Sequence, residues 1–204
     1  LRRMQKAFVD KNRREHELSR SVSLAEHFPE ALLALRETGS AVVQLDESFF
    51  DRDYPGHYMR RLKSVSLTLP AVTGPYSSVN CTLTLLNNRV RHTAVVGDDY
   101  LEEELNDSRF IYHYGAITSV CTSSGQNDSG MFELNFRDER YLPFEGAGSI
   151  STWRIDMPHD TNWFDVRSLS DVIVQLSFMA RPGGDVLGAA AREAAFPTGE
   201  PRTA

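Results

Sequence analysis

The sequence predicts a mainly β protein, an antiparallel β-sandwich preceded by an N-terminal helical segment. Between Ala41 and Ala180 the chain breaks into short stretches in which apolar and polar residues largely alternate. Gly, Pro, Asn or Asp stand between most of these stretches, as turn chemistry requires. No regular alternation of strand-like and helix-like segments appears, which argues against a parallel doubly wound sheet. With 204 residues, 41% of them hydrophobic, the chain can bury one substantial core, so one main domain with appendages is expected.

The elements follow in order. From Leu1 to Val22 apolar residues fall at Leu1, Met4, Phe8, Leu18 and Val22, which reads as an amphipathic helix charged around most of its circumference. Ser23-Leu-Ala-Glu26 has the spacing of a capping box, Pro29 suits the first turn of a second short helix, and Gly39 suits its stop. Residues 1–40 are therefore expected to be a helical segment, and a chain beginning near Ala41 to keep the sandwich fold.

Seven strands are predicted: Ala41–Leu45, Lys63–Leu69, Val79–Leu86, Ala116–Cys121, Met131–Phe136, Ser149–Met157 and Asp171–Ala180. Pro55 fixes φ and Gly56 permits a reversal before the second strand, and Gly74-Pro75 marks a turn before the third, so the two are read as a β-hairpin. In the last strand Val172, Val174, Leu176, Phe178 and Ala180 share one face, the pattern of a half-buried antiparallel strand. These strands make residues 41–183 the sandwich domain. Residues 184–204 are read as a short helix and a tail: Asp185–Ala195 is Ala-rich but weakened by Gly188, and Phe196–Ala204 is expected to be disordered. The acidic stretch Gly97–Asp107 reads as a solvated loop with a helical turn.

Charge and composition narrow the function classes. A formal net charge of −6 argues against a nucleic-acid partner, because neutralising phosphates needs clustered Lys and Arg not offset by acids. No stretch approaches the run of about twenty apolar residues that spans a bilayer, so the sequence reads as soluble. Arg2, Arg3 and Lys6 lead into Asp10, Lys11, Arg13 and Arg14 rather than an apolar core, so no signal peptide is read; Leu1 in place of Met suggests an excised fragment.

A search for chemistry returns no catalytic, cofactor or metal residue. His16, His27, His57, His92, His113 and His159 never fall at HxH or HExxH spacing. Cys81 and Cys121 form no CxxC, and Cys81 shares the parity of Val79, Leu83 and Leu85, a buried position. Gly146-Ala-Gly148 lacks the nucleophile of a hydrolase elbow and reads as a bend. Asp138, Glu139 and Glu145 beside Tyr141 and Phe144 could flank a sugar, but Arg137 and Arg140 are interleaved, and a salt-bridged corner is the simpler reading. Asn127-Asp128-Ser129-Gly130 carries oxygens without the ligand alternation of a calcium loop, so it reads as a turn. A carbohydrate-binding sandwich is the alternative function, with Tyr112, Tyr114, Trp153 or Trp163 as stacking platforms. Trp153 has the parity of Ile155 and Met157 and is assigned to the core.

Four blocks in order, Asp53–Pro70, Thr73–Leu86, Gly125–Gly148 and Ser170–Leu176, closely resemble the C-terminal segment of the A component of bacterial insecticidal toxin complexes, on which the B component docks. Arg13–Leu18 and Leu35–Gly39 resemble the same family's connection from its helical pore-forming region. The resemblance implies a non-catalytic docking domain that binds the B component so that a toxic enzyme can pass into a channel. It implies a homopentameric parent, secreted or on the bacterial surface, with Leu1–Val22 as the end of a pore-forming helix and no direct membrane insertion by this stretch. The blocks are turns and core strands, so they assign no contact residue. Gly97–Asp107 and Phe196–Ala204 carry no motif of that family.

Overall fold

The computed structural model describes residues 14–71, 78–97, 99–102, 107–124, 131–135 and 142–196. Among them are eight strands: β1 (His16–Ser23), β2 (Ser40–Leu45), β3 (His57–Pro70), β4 (Ser78–Arg91), β5 (Phe110–Ser124), β6 (Met131–Asn135), β7 (Ile150–Asp156) and β8 (Ile173–Pro182). Four α-helices, α1 (Leu24–His27), α2 (Pro29–Thr38), α3 (Glu47–Asp51) and α4 (Gly184–Ala195), and a 3-10 helix (Val166–Ser168) accompany them. The strands form two sheets of four, in the orders β1-β8-β3-β6 and β2-β7-β4-β5.

Every pairing within these sheets is antiparallel. The pairs β1·β8, β2·β7, β3·β6 and β4·β5 nest around the midpoint of the chain, the arrangement produced when one long hairpin rolls up on itself. It is an eight-stranded jelly roll. All seven sequence-predicted strands are present within this sandwich. β3, β4 and β5 run several residues beyond the expected ends.

The core fills the space between the sheets because each strand turns its apolar parity inward. Val43 and Leu45 of β2, Val79, Cys81, Leu83 and Leu85 of β4, Trp153 and Ile155 of β7, and Val174, Leu176, Phe178 and Ala180 of β8 belong to one buried cluster. In β3 the inward parity changes from Leu62 to Val65, Leu67 and Leu69, where the register with β8 shifts between Leu62 and Ser64. Cys81 lies opposite Cys121 in the β4·β5 register, a juxtaposition that sequence spacing could not show.

Three expectations are corrected. The segment 16–23, expected at the end of a helix, is strand β1, fully paired with β8 from His16↔Ala180 to Ser23↔Ile173. Residues 1–13, where that helix was expected to begin, lie outside the described residues. Val22, Leu24, Leu32 and Leu35 sit in the same buried cluster as the sandwich, so residues 16–39 pack as part of it. The stretch 53–86 is not a hairpin: β3 lies in one sheet and β4 in the other, and the connection crosses between them. Each of these long strands has a single apolar face, and placing them across the sandwich lets both faces meet.

Local signals at the helices are realised. Ser23 caps α1, its hydroxyl accepting from the Glu26 N–H at 3.2 Å, and Pro29 opens α2. Gly39 ends α2 in the left-handed conformation with φ 76°, its N–H donating to the Leu35 carbonyl at 2.9 Å. Gly56 adopts φ +74° in the turn before β3, and a Cβ there would collide with the Gly188 Cα of α4. The Gly56 carbonyl accepts from the Gly183 N–H at 2.9 Å, which fixes the start of α4 against this turn. Gly188 thus does more than weaken a helix, since its missing side chain admits the turn.

Gly56→Ala should cost about 2–3 kcal/mol, the sum of a left-handed Cβ penalty and displacement of α4. Gly146→Ala is the control, because Gly146 has φ +81° with nothing near its Cβ position. Urea unfolding of both variants separates the two contributions; equal losses would show that the Gly56–Gly188 approach is not a packing constraint.

Candidate docking surface

Strand direction sorts the connections into two poles. β1 runs from His16, opposite Ala180, to Ser23, opposite Ile173, and β8 returns the other way. The near pole therefore holds the start of β1, the start of β3 at His57 opposite Pro182, and α4 after β8. α3, the described parts of the connection 92–109 and the turn 142–149 lie at the same pole, because β2 and β4 end there and β5 and β7 begin there. The far pole holds α1 and α2, the β7–β8 loop and the ends joined by the β3–β4 and β5–β6 connections. The described chain enters and leaves the sandwich at the near pole, and among the described residues the far one holds internal connections.

The near pole is closed by a buried ionic cluster. Arg91, 1% exposed, donates through Nε to both Glu47 oxygens at 2.9 and 3.0 Å and through Nη2 to Oε2 at 2.7 Å. Arg60 donates to Asp51 at 2.5 Å and to the Tyr54 carbonyl at 3.0 Å. Two guanidinium groups thus face two carboxylates from α3, and the hydroxyl of Tyr100 donates to Asp51. Burial, then the charge of Glu47, pushes the Tyr100 phenol far up, so it remains a donor.

This cluster reaches into the acidic stretch expected to be a solvated loop. Tyr100 is buried, Arg91 donates to its carbonyl at 2.7 Å, and Arg109 donates to the carbonyls of Val96, Asp99 and Leu101 and to Asp107. The described part of Gly97–Asp107 is consequently pinned across the near pole. His57 lies there too, 5.7 Å from the His16 ring, and burial followed by the Arg60 charge lowers its pKa.

The outer face of the sheet β1-β8-β3 carries a shallow cleft of about 540 Å³. Its lining is mixed, with Glu17, Ser19, Lys63 and Gln175 beside Val65 and Leu142. The hydrogen bond and charge of Lys63 hold the Glu17 carboxyl below its usual range, and the pair sits at 2.8 Å.

Apolar and aromatic exposure lies elsewhere. Trp163, in the β7–β8 loop at the far pole, is 89% exposed. Tyr114 of β5 is 72% exposed and stacks on Tyr112, with ring centroids 6.2 Å apart and planes at 6°. β5 is also an edge strand, and Ile111 and Ile117 are exposed along it. Leu33 of α2, Val186 of α4 and, at the near pole, Val95 and Leu101 are exposed as well, so exposed apolar surface is spread over loops, helices and an edge.

Residues 1–180 match the family described as the Tc toxin complex TcA C-terminal TcB-binding domain. The chain belongs to that family. The match runs through β1 to Ala180 of β8 and thus spans the strands of both sheets. Toxin subunit YenA2 of Yersinia entomophaga is 34% identical over 203 residues, covering 95% of this chain and 15% of the relative. This TcB-binding domain therefore spans about 15% of the length of that curated relative. A solved structure, Yersinia pseudotuberculosis TcaA-TcaB, is 23% identical with a TM-score of 0.48, covering 88% of this chain and 10% of that one.

The TcB-binding domain distributes the sequence-predicted candidates unevenly. Trp153 is in the core, edge-on to Phe144 at 4.9 Å, with its indole N–H donating to the Ser151 hydroxyl at 2.8 Å. Phe144 is thereby removed from any sugar cleft, while Glu145 is exposed. Asp138, Glu139, Arg137, Arg140 and Tyr141, together with Asn127–Gly130, lie outside the described residues. Gly146 and Gly148 sit in the turn before β7, where a Cβ on Gly148 would collide with the Arg89 carbonyl oxygen. Among the described residues no group of His, Cys, Asp and Glu is arranged to hold a metal ion. Among them, too, no helix is long and apolar enough to cross a membrane.

The ionic cluster is what sequence reasoning missed. Its members come from α3, β3, β4 and the acidic stretch, so no local motif contains them. One signal was present: Arg60 lies at the parity of Tyr58 and Leu62, both buried, and a charge on an inward parity demands a buried partner.

Proposed function

We propose that this TcB-binding domain is a non-catalytic docking module, and that copies of it held in a pentameric ring receive TcB so that the toxic enzyme passes into the channel of a secreted A component. The observation that carries this reading is topological. Both ends of the described chain lie at the near pole, beside the ionic cluster, so among the described residues the far pole is made of internal connections. A protein docking there needs a stiff base and complementary shape, which a two-sheet core supplies without a reactive group.

Ring geometry makes valency the decisive variable. Once one copy engages, the others meet TcB at high effective concentration, so five copies on one scaffold should bind about 10²–10⁴-fold more tightly than one. The test fuses the whole chain to a neutral five-fold scaffold and measures binding to the cognate TcB over a salt series, beside the single chain and an unrelated β-sandwich on the same scaffold. Binding no better than that of the unrelated sandwich would sink the docking reading, and sugar-array binding by the same assembly would put the carbohydrate alternative in its place.

A further inference from the structure

We infer that Trp163 is the anchor through which the far pole grips TcB, its indole entering an apolar pocket whose rim is basic. The inference rests on the docking reading and adds to it a residue and a pocket chemistry.

The first observation is exposure on a fastened support. Trp163 is 89% exposed, whereas Met157, Asn162, Phe164 and Val166 on either side are buried. Asn162 ties the loop to the start of β4: the Asn80 N–H donates to its Oδ1 at 2.7 Å, and its Nδ2 donates to the carbonyls of Asn80 at 3.0 Å and Pro158 at 2.9 Å. Asn80 Nδ2 donates back to the Thr161 carbonyl at 2.6 Å. The loop is thus fastened at the residue before Trp163 and packed at the residue after it. A large indole held out on such a loop loses little conformational freedom on binding, which is what makes Trp effective at the centre of protein contacts.

The second observation is charge. Asp160 and Asp165 flank the indole within the same loop, and both are exposed. Asp165 accepts from the Arg167 N–H at 3.0 Å, a backbone cap on a side chain that stays exposed. Arg167 is the cation nearest in sequence, so the loop from Pro158 to Arg167 keeps a net negative charge, in line with the −6 of the chain. A partner pocket that accepts the indole is complementary when its rim carries Lys or Arg. The third observation is position, since the loop stands at the pole opposite the one where the described chain enters and leaves.

The test compares wild type, Trp163→Ala, Trp163→Phe and the pair Asp160→Lys with Asp165→Lys, each as the whole chain on the five-fold scaffold, for binding to the cognate TcB. Trp163→Ala should weaken the affinity per copy by about 30-fold or more with an unchanged melting curve, and Trp163→Phe should restore part of it. The double lysine variant should bind more slowly and with a weaker salt dependence. If wild type captures TcB and Trp163→Ala captures it equally, the inference is overturned while the docking reading stands. If wild type captures no TcB, both fall. A Trp163→Ala variant that changes the mass of the free chain in sedimentation, with TcB affinity intact, would assign the indole to a contact between copies. Loss of sugar-array binding alone would assign it to a glycan; either result overturns the anchor.

Discussion

A chain that starts at Ala41 should lose cooperative folding altogether. Such a truncation removes β1, whose register with β8 runs the full eight residues, and leaves β8 as a new sheet edge. It also strips Val22, Leu24, Leu32 and Leu35 from the core, all within the cluster that contains the sandwich strands. At about 1.5–3 kcal/mol for each buried aliphatic side chain, these four contribute about 6–12 kcal/mol, as much as the entire stability of an ordinary domain. Urea and thermal unfolding of residues 41–196 beside residues 14–196 is the check. A cooperative transition with an unchanged urea slope in the shorter chain would show that the first forty residues do not belong to this core.

The reversal of the sequence reading at β1 has a definite cause. In His16–Ser23 the inward parity is Leu18, Arg20 and Val22, so an arginine stands where the alternation needs an apolar residue. The Arg20 guanidinium lies 4.0 Å above the Phe49 ring, a cation–π contact that lets it occupy that place. With Arg20 counted as polar, Leu18 and Val22 are left four apart, and that spacing mimics a helix. β8 has no such substitution: Val174, Leu176, Phe178 and Ala180 announce the strand directly.

Turn chemistry was legible and turn destination was not. Gly39 and Gly56 adopt the left-handed conformations their sequence contexts suggest. Whether β4 follows β3 into the same sheet or crosses to the other depends on which strands pair along its two edges, and those are β5 and β7, later in the chain. The same limit applies to the far-pole loop. Its Asn162 and Asn80 read as ordinary loop residues, and only their pairing across 82 positions shows that Trp163 stands on a fixed support. Trp163 itself is legible as a possible stacking platform, because a tryptophan outside the strand alternation has no assigned place in the core.

Breaking the near-pole cluster at one residue should be costly in a way that breaking it at two is not. Arg91→Met leaves the Glu47 carboxylate, 7% exposed, with Arg60 at 3.5 Å as its remaining ionic partner. It also takes away the donors that hold the Tyr100 and Val95 carbonyls. An uncompensated charge at such a site costs about 3–5 kcal/mol. Adding Glu47→Leu removes the stranded charge, so the double variant should be more stable than Arg91→Met alone, although Arg60 then leans on Asp51 by itself. A urea double-mutant cycle measures the difference, and equal stability of the single and double variants would show that Glu47 is solvated once Arg91 is gone. Limited proteolysis supplies the structural readout, with new cleavage expected between His92 and Leu101 in Arg91→Met. Because the cluster closes the pole opposite Trp163, any fraction of the variant that stays folded should still bind TcB with wild-type affinity per copy. Loss of TcB binding in proportion to loop cleavage, with the far pole intact, would instead move the docking surface to the near pole.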